Sequence, residues 1–141
     1  MKKVVYGEDD RVLQWMETRI DERYSRTDSV AFAMEEDGEI IGAVAYNMYT
    51  VASISMHVVA LPGKYWLTKE FLWRCFAYPF IQLKCQRVTA LVREDNLHAQ
   101  KFDEGLGFKR EGLVRQGCTD GSNLILYGML KDECRFLGIK L

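Results

Sequence analysis

Proline and histidine are scarce. Only Pro62, Pro79, His57 and His98 occur in 141 residues. Two isolated prolines, with no Gly/Ser-rich or low-complexity tract, exclude a linker of that kind, so a single domain over residues 1–141 is expected. The four cysteines, Cys75, Cys85, Cys118 and Cys134, contain no CxxC pair. Spread over the second half with so few histidines nearby, they read as reduced thiols, and no metal site is expected. Long hydrophobic runs are missing too. Nothing approaches about 18 consecutive apolar residues, which excludes a membrane-spanning helix. The start, Met1 to Glu8, has one short apolar run before acidic residues and lacks the form of a secretory signal, so a cytoplasmic location and no membrane partner are expected. An excess of positive charge is also missing. A formal net charge of -1 supplies no general basic field for nucleic acid, although a local patch stays open.

What remains is the composition of an ordinary globular domain, 48% apolar and 28% charged. Lys3 to Tyr6 suits a short strand. Asp9-Asp10 offers an N-cap, and Val12, Leu13, Trp15, Met16 and Ile20 recur at helical spacing. A polar stretch, Asp21 to Ser29, follows. Val30 to Met34 is β-prone, Glu35-Glu36-Asp37-Gly38 is a hairpin turn, and Glu39 to Tyr49 resumes as a strand with Gly42 as a bulge. Ser53 to Ala60 is the next strand, stopped by Leu61-Pro62-Gly63. Thr68 caps a helix reaching about Leu83, which Pro79 should kink. Arg87 to Val92 is a strand. Asn96 to Leu106 is a helix ended by Gly107 in the left-handed conformation. Phe108 to Gln116 and Leu124 to Leu130 are strands around a turn at Cys118 to Asn123; the tail from Lys131 has no clear pattern. The order β-α-β-β-β-α-β-α-β-β, with one strand–helix–strand crossover among hairpins, predicts a mixed α/β sheet with a parallel pair and helices on both faces.

One segment is more specific. Asn96, Ala99, Phe102, Leu106-Gly107-Phe108 and Glu111-Gly112 reproduce, without a gap, a spacing that resembles the late helix and following strand of GNAT N-acetyltransferases. Phe80 and the strand Arg87-Val88-Thr89-Ala90 are similar to the branch that acetylates ribosomal-protein N-termini. Asp120-Gly121, Tyr127, Met129 and Leu130 suit that family's terminal hairpin. The resemblance runs over about residues 30 to 133. It implies the GNAT fold, with six or seven mostly antiparallel strands and a splayed central parallel pair. It also implies acyl transfer from acetyl-coenzyme A, as co-substrate, to a small-molecule or protein amine. The backbone of Val58, Val59 and Ala60 would pair with the pantetheine arm, Asn96 and Phe102 would line its other side, and Gly63, Lys64, Thr68 and Lys69 would meet the phosphates.

The sequence departs from the family at two places. Trp66 and Thr68 stand where phosphate-loop glycines are expected, so either their side chains crowd the phosphates or Tyr65-Trp66-Leu67 packs onto the sheet. The acid that protonates the leaving thiolate is missing. Asp103 occupies the usual tyrosine position and reads as a solvated surface charge, while Ala99 replaces the serine of the ribosomal branch. The Tyr127 hydroxyl is then a candidate proton donor. His57 is the candidate general base, because imidazole titrates near neutrality; a half-buried structural histidine is the alternative. His98, in a first helical turn, reads as exposed. The acidic turn Glu35 to Asp37 reads as solvated, and Trp66, Trp73, Phe76, Tyr78 and Phe80 chiefly as core.

Three functions compete. The first is an acyl-coenzyme A dependent N-acyltransferase. The second is a non-catalytic module of the same fold for binding or assembly, which the lost loop glycines and acids favour. The third is a nucleic-acid modifier similar to phage proteins of this ancestry, needing a basic rim from Lys64, Arg87, Arg93, Lys101, Lys109, Arg110 and Arg115. Neither the acceptor nor the oligomeric state can be read from these residues.

Overall fold

The computed structural model describes residues 1–140. Its strands are β1 (Lys2–Val5), β2 (Val30–Glu36), β3 (Glu39–Asn47), β4 (Ser53–Ala60), β5 (Arg87–Arg93), β6 (Lys109–Val114) and β7 (Leu124–Leu130). Its helices are α1 (Asp9–Glu17), α2 (Lys69–Ala77) and α3 (Leu97–Leu106). The strands form one sheet in the order β1-β2-β3-β4-β5-β7-β6, in which only β4 and β5 are parallel.

Strand alternation sorts the apolar side chains onto two faces. Ala31, Ala33, Ala43, Ala45 and Val59 pack under Val12, Leu13 and Met16 of α1. Small alanines on two neighbouring strands, β2 and β3, let that helix approach closely. Val44, Tyr46, Ile54, Met56, Val88, Ala90, Tyr127 and Met129 face the other way, against Phe71, Cys75 and Phe76 of α2 and the α3 side chains. The Tyr46 hydroxyl donates to the Cys75 carbonyl, tying β3 to α2.

Local chemistry differs from expectation at a few points. The α1 N-cap is Glu8, not Asp9 or Asp10, and it makes no side-chain capping bond. The Asp9 carboxylate instead accepts from the Ala31 N–H at 3.1 Å, and α1 stops before Ile20. Asp37 and Gly38 alone form the β2–β3 turn, both at positive φ, so Glu35 and Glu36 belong to the strand. β3 ends at Asn47 because Met48 turns to φ 56°. Met34 pairs with Gly42 and Glu35 with Ile40, so the extra residue of the β2–β3 bulge is Ile41, beside Gly42. At Pro79 the regular α-helical pattern of α2 has already ended, at Ala77. The helix widens into a π turn, Tyr78–Gln82, closed by Leu83 N–H donating to the Tyr78 carbonyl at 3.0 Å.

The tail holds what its sequence did not announce. Phe136 is buried and stacks on Phe76 at 5.1 Å. Arg135 donates to the Gly105 and Leu106 carbonyls at 2.7 and 3.0 Å, satisfying the end of α3. No helix among the described residues is long and apolar enough to cross a membrane.

Candidate active site

The site is created by a strand pair that comes apart. Ser53, Ile54 and Ser55 of β4 pair with Arg87, Val88 and Thr89 of β5, and the register ends there. Beyond Ser55, β4 keeps its partner only on the other side, through Ala60 opposite Gly42 of β3. β5 meanwhile stays paired with β7 as far as Arg93. The β5-facing edge of β4 from Met56 to Ala60 is therefore a row of unpaired peptide groups, and Val58, Val59 and Ala60 lie on it. Such an edge suits an extended, amide-bearing ligand arm.

Asn96 begins α3 across the opening. Its side-chain oxygen accepts from the Ala99 N–H at 3.1 Å, so it acts as the N-cap. Phe102 projects from α3 toward β4, and the space it faces is filled. The Trp66 indole stacks on Phe102 at 6.2 Å between ring centres and meets Phe71 of α2 edge-on at 5.9 Å. Its far side lies on Gly42, where an added Cβ would stand no more than 2.6 Å from three indole atoms. Glycine at 42 is thus required by the indole. Between Met56, Val58, Trp66, Leu67, Phe102 and Leu106 only about 10 Å³ is left, too little for more than one water.

The connection that carries Trp66 holds the residues expected at a phosphate. Gly63 adopts φ 74°. Lys64 sits 3.3 Å from the Glu36 carboxylate, and Lys69 is exposed. The Thr68 hydroxyl accepts from Phe71 N–H at 3.2 Å and caps α2, while Glu70 adds a negative charge to that first turn. Of Tyr65-Trp66-Leu67, Trp66 and Leu67 pack inward and Tyr65 points out.

His57 lies two residues past the last β4–β5 pair, on the α1 face. Its Nε2 is 2.8 Å from the Asn47 side-chain oxygen, and its Nδ1 is 3.6 Å from a Glu22 carboxylate oxygen. Burial pushes the imidazole below its ordinary value, and the Glu22 charge opposes this more weakly. The ring is therefore neutral at pH 7, with its proton on Nε2 toward Asn47 and a lone pair on Nδ1. Tyr24 packs edge-on to His57 at 5.5 Å between ring centres. Across the mouth, the Thr119 hydroxyl of the β6–β7 turn donates to Asp21 at 3.4 Å, joining the two variable loops on one side.

The acid candidates sit apart from His57. Tyr127 is buried under α3, where its hydroxyl donates to the Glu104 carboxylate at 2.6 Å. Burial and that bond push it up to about 12. Asp103, expected in solvent, is only 8% exposed. Burial first, and the neighbouring Glu104 charge second, push its carboxyl up to about 7. The surface reading of Asp103 is thus corrected: spacing put it on α3, and only the packing of α3 turned it inward. Four of the seven basic residues considered for a nucleic-acid rim pair with carboxylates: Lys64 with Glu36, Arg87 with Glu111, Arg93 with Asp95 and Asp120, and Lys109 with Glu133. The sequence did not single out Glu22, Tyr24 or Asn47. The only signal for Glu22 and Tyr24 was their place in the polar loop after α1; Asn47, at the end of β3, carried none.

By sequence, no family model and no curated protein matches this chain. By structure, likenesses are extensive. A variant of the spermidine N-acetyltransferase SpeG from Vibrio cholerae superposes with a TM-score of 0.75 at 16% identity, covering 97% of this chain and 96% of that one. A dodecameric structure of the same enzyme in an intermediate state gives 0.73 at 18% identity over 93% and 94%. A probable acetyltransferase gives 0.71 at 17% identity over 94% of each chain. At such identities the likeness establishes architecture, and the architecture is the GNAT acetyltransferase fold, complete from β1 to β7.

Proposed function

We propose that the protein is an acyl-coenzyme A dependent N-acyltransferase in which His57 is the general base. One observation carries this reading: a largely buried imidazole, held at 2.8 Å by the Asn47 side chain, stands beside the place where β4 parts from β5. The free edge of β4 offers hydrogen bonds to the amides of a pantetheine arm. Asn96 and Phe102 border that edge, and Lys64 and Lys69 supply positive charge near its outer end. Attack by an amine on a thioester needs the nitrogen deprotonated and the reactants held in contact, and the two faces of the split divide these tasks. Acetyl-coenzyme A is the expected donor, as the resemblance carried by Asn96 to Gly112 implies. The small set of likenesses to the ribosomal-protein branch makes an N-terminal amine one acceptor to include.

The coenzyme does not fit the cleft as it stands. The β4 edge is suited to it, but the Trp66 indole occupies the space beside that edge and Thr68 already caps α2. Binding requires the indole to swing away on the Gly63–Thr68 connection. The same observation favours a second reading, a closed and non-catalytic module of this fold.

Release of coenzyme A thiol from acetyl-coenzyme A in the presence of an amine panel separates the two readings. His57→Gln should lower kcat by about 10²–10⁴-fold while leaving the KM for acetyl-coenzyme A within twofold. The wild-type rate should rise with pH with its midpoint below the ordinary imidazole value, because burial lowers the His57 pKa and the neutral ring is the active form. Absence of thiol release with every amine at millimolar coenzyme, together with no thermal stabilisation by it, would establish the non-catalytic module instead.

A further inference from the structure

The connection after α1 is folded by one carboxylate. Glu17 accepts from the Tyr24 N–H at 2.8 Å and from Arg26 at 2.9 Å, and Arg26 also reaches Asp10 at 2.8 Å. The Arg26 guanidinium and the Tyr24 backbone hold the Glu17 carboxyl down at about 2. This bracing lays Tyr24 and Glu22 over His57.

The resulting arrangement contains a deficit. The Nδ1 lone pair of His57 and the Glu22 carboxylate face each other at 3.6 Å. With the proton on Nε2 both are hydrogen-bond acceptors, and no hydrogen bond of good geometry among the described residues reaches either atom. His57 is the only ion-pair partner of Glu22 among the described residues. The Tyr24 hydroxyl adds a third unsatisfied group. Tyr24 is only 5% exposed; burial first, and the nearby Glu22 carboxylate second, raise its pKa above the ordinary phenol range, yet its oxygen makes no hydrogen bond of good geometry among the described residues. A buried hydroxyl without a partner costs about 1–3 kcal/mol and calls for an explanation. Two acceptors 3.6 Å apart and a spare hydroxyl describe a seat for a small cation bearing several N–H donors. A nitrogen about 2.8 Å from each acceptor closes a triangle on that base.

We infer that Glu22, Tyr24 and His57 seat the ammonium group of the acceptor, and that the acceptor class is a primary alkylamine taken up as its cation. Glu22 is half exposed and opens to solvent, so the charged end enters first. The inference rests on the acyl-transfer reading only for what happens next. His57 Nδ1 removes one proton from R–NH3⁺. The nitrogen lone pair forms the N–C bond to the thioester carbonyl as the C–S bond breaks. The second nitrogen proton balances the departing thiolate, and the first returns from His57 to solvent. The sum is amide, coenzyme A thiol and one proton. A neutral arylamine gains nothing from the Glu22 charge and is expected to be a poor acceptor.

The first test needs no coenzyme. The full chain is titrated with propylammonium while the His57 ring resonances are followed by NMR. A saturable shift is expected in the wild type, and Glu22→Gln should weaken the affinity about tenfold, which is the worth of one charge-assisted hydrogen bond, about 1.4 kcal/mol. Tyr24→Phe should weaken binding about two- to fivefold while leaving the fold as stable or more so, since it deletes an unpaired buried hydroxyl. A purely structural role for Tyr24 predicts the reverse. The second test adds acetyl-coenzyme A. Glu22→Gln should raise the KM for propylamine about tenfold, leave the KM for acetyl-coenzyme A unchanged and not affect aniline. Absence of a saturable shift in the wild type, or equal propylamine affinity in Glu22→Gln, overturns the ammonium seat whether or not transfer occurs. Ammonium binding that Glu22→Gln weakens, with no transfer to any amine, upholds the seat and removes the acyl-transfer reading.

Discussion

Replacing Trp66 with alanine is expected to cost about 3–5 kcal/mol of stability, a drop of roughly 10 °C in Tm, and at the same time to tighten acetyl-coenzyme A binding about tenfold or more. The first effect follows from packing. The indole is buried between Gly42, Phe71 and Phe102, and its removal empties a space that the surrounding strands and helices cannot close. The second follows from where that space lies. It adjoins the unpaired edge of β4, so a coenzyme arm that must first displace the indole meets it already open in the variant. Calorimetric titration with acetyl-coenzyme A checks the affinity. Unchanged or weaker binding would show that the indole is a wall of the site and not its plug. Gly42→Ala supplies a control through the same contact. Alone it should destabilise by about 1–3 kcal/mol, because its Cβ has no room beneath the indole. Combined with Trp66→Ala it should cost almost nothing, since the clash has gone; a double-mutant cycle reads that coupling directly.

Elements whose signals are local were legible in the sequence. Asp37-Gly38 set a hairpin, Gly107 took the left-handed conformation at φ 108°, and the spacing from Asn96 to Gly112 placed α3 and β6 correctly. What failed were statements that depend on the partner across the interface. The bulge expected at Gly42 does occur, one residue earlier at Ile41, but what the pattern could not show is that Trp66, 24 positions later, lies on Gly42. Pro79 inside an apolar helical pattern marks a disruption, but the pattern alone does not say that it takes the form of a π turn ending α2 at Ala77. The candidate site divides in the same way. Of the two histidines, His57 was visible as the one on a central strand. Its orientation and tautomer depend on Asn47, ten residues earlier on β3, and on a loop whose shape is set by Glu17 and Arg26. Such loops carry little hydrophobic periodicity, so their placement is fixed by charge pairs that one sequence does not reveal.

The largest pH effect should come from Asp103. Its carboxyl titrates near about 7 in the folded protein, against about 3.9 in an unfolded chain. Below pH 4 both states hold the proton, and the group leaves stability unchanged. As pH rises toward 7 the unfolded state ionises and the folded state does not, so stability falls by up to about 1.4 kcal/mol per pH unit; above 7 both are ionised and the loss levels off. The deficit at pH 8 is about 2–4 kcal/mol, an order-of-magnitude figure for a carboxylate this deeply placed. Asp103→Asn keeps the shape and removes the titration. The variant should match the wild type at pH 4 and melt roughly 5–10 °C higher at pH 8. Thermal unfolding across that range tests it, and an equal difference at both pH values would show that the carboxyl is already ionised in the native state. The same variant, assayed for thiol release, asks whether the retained proton has a use. Transfer at the wild-type rate makes Asp103 a plain liability of the fold, whereas a lower kcat with unchanged substrate KM values would tie its proton to the departing thiolate.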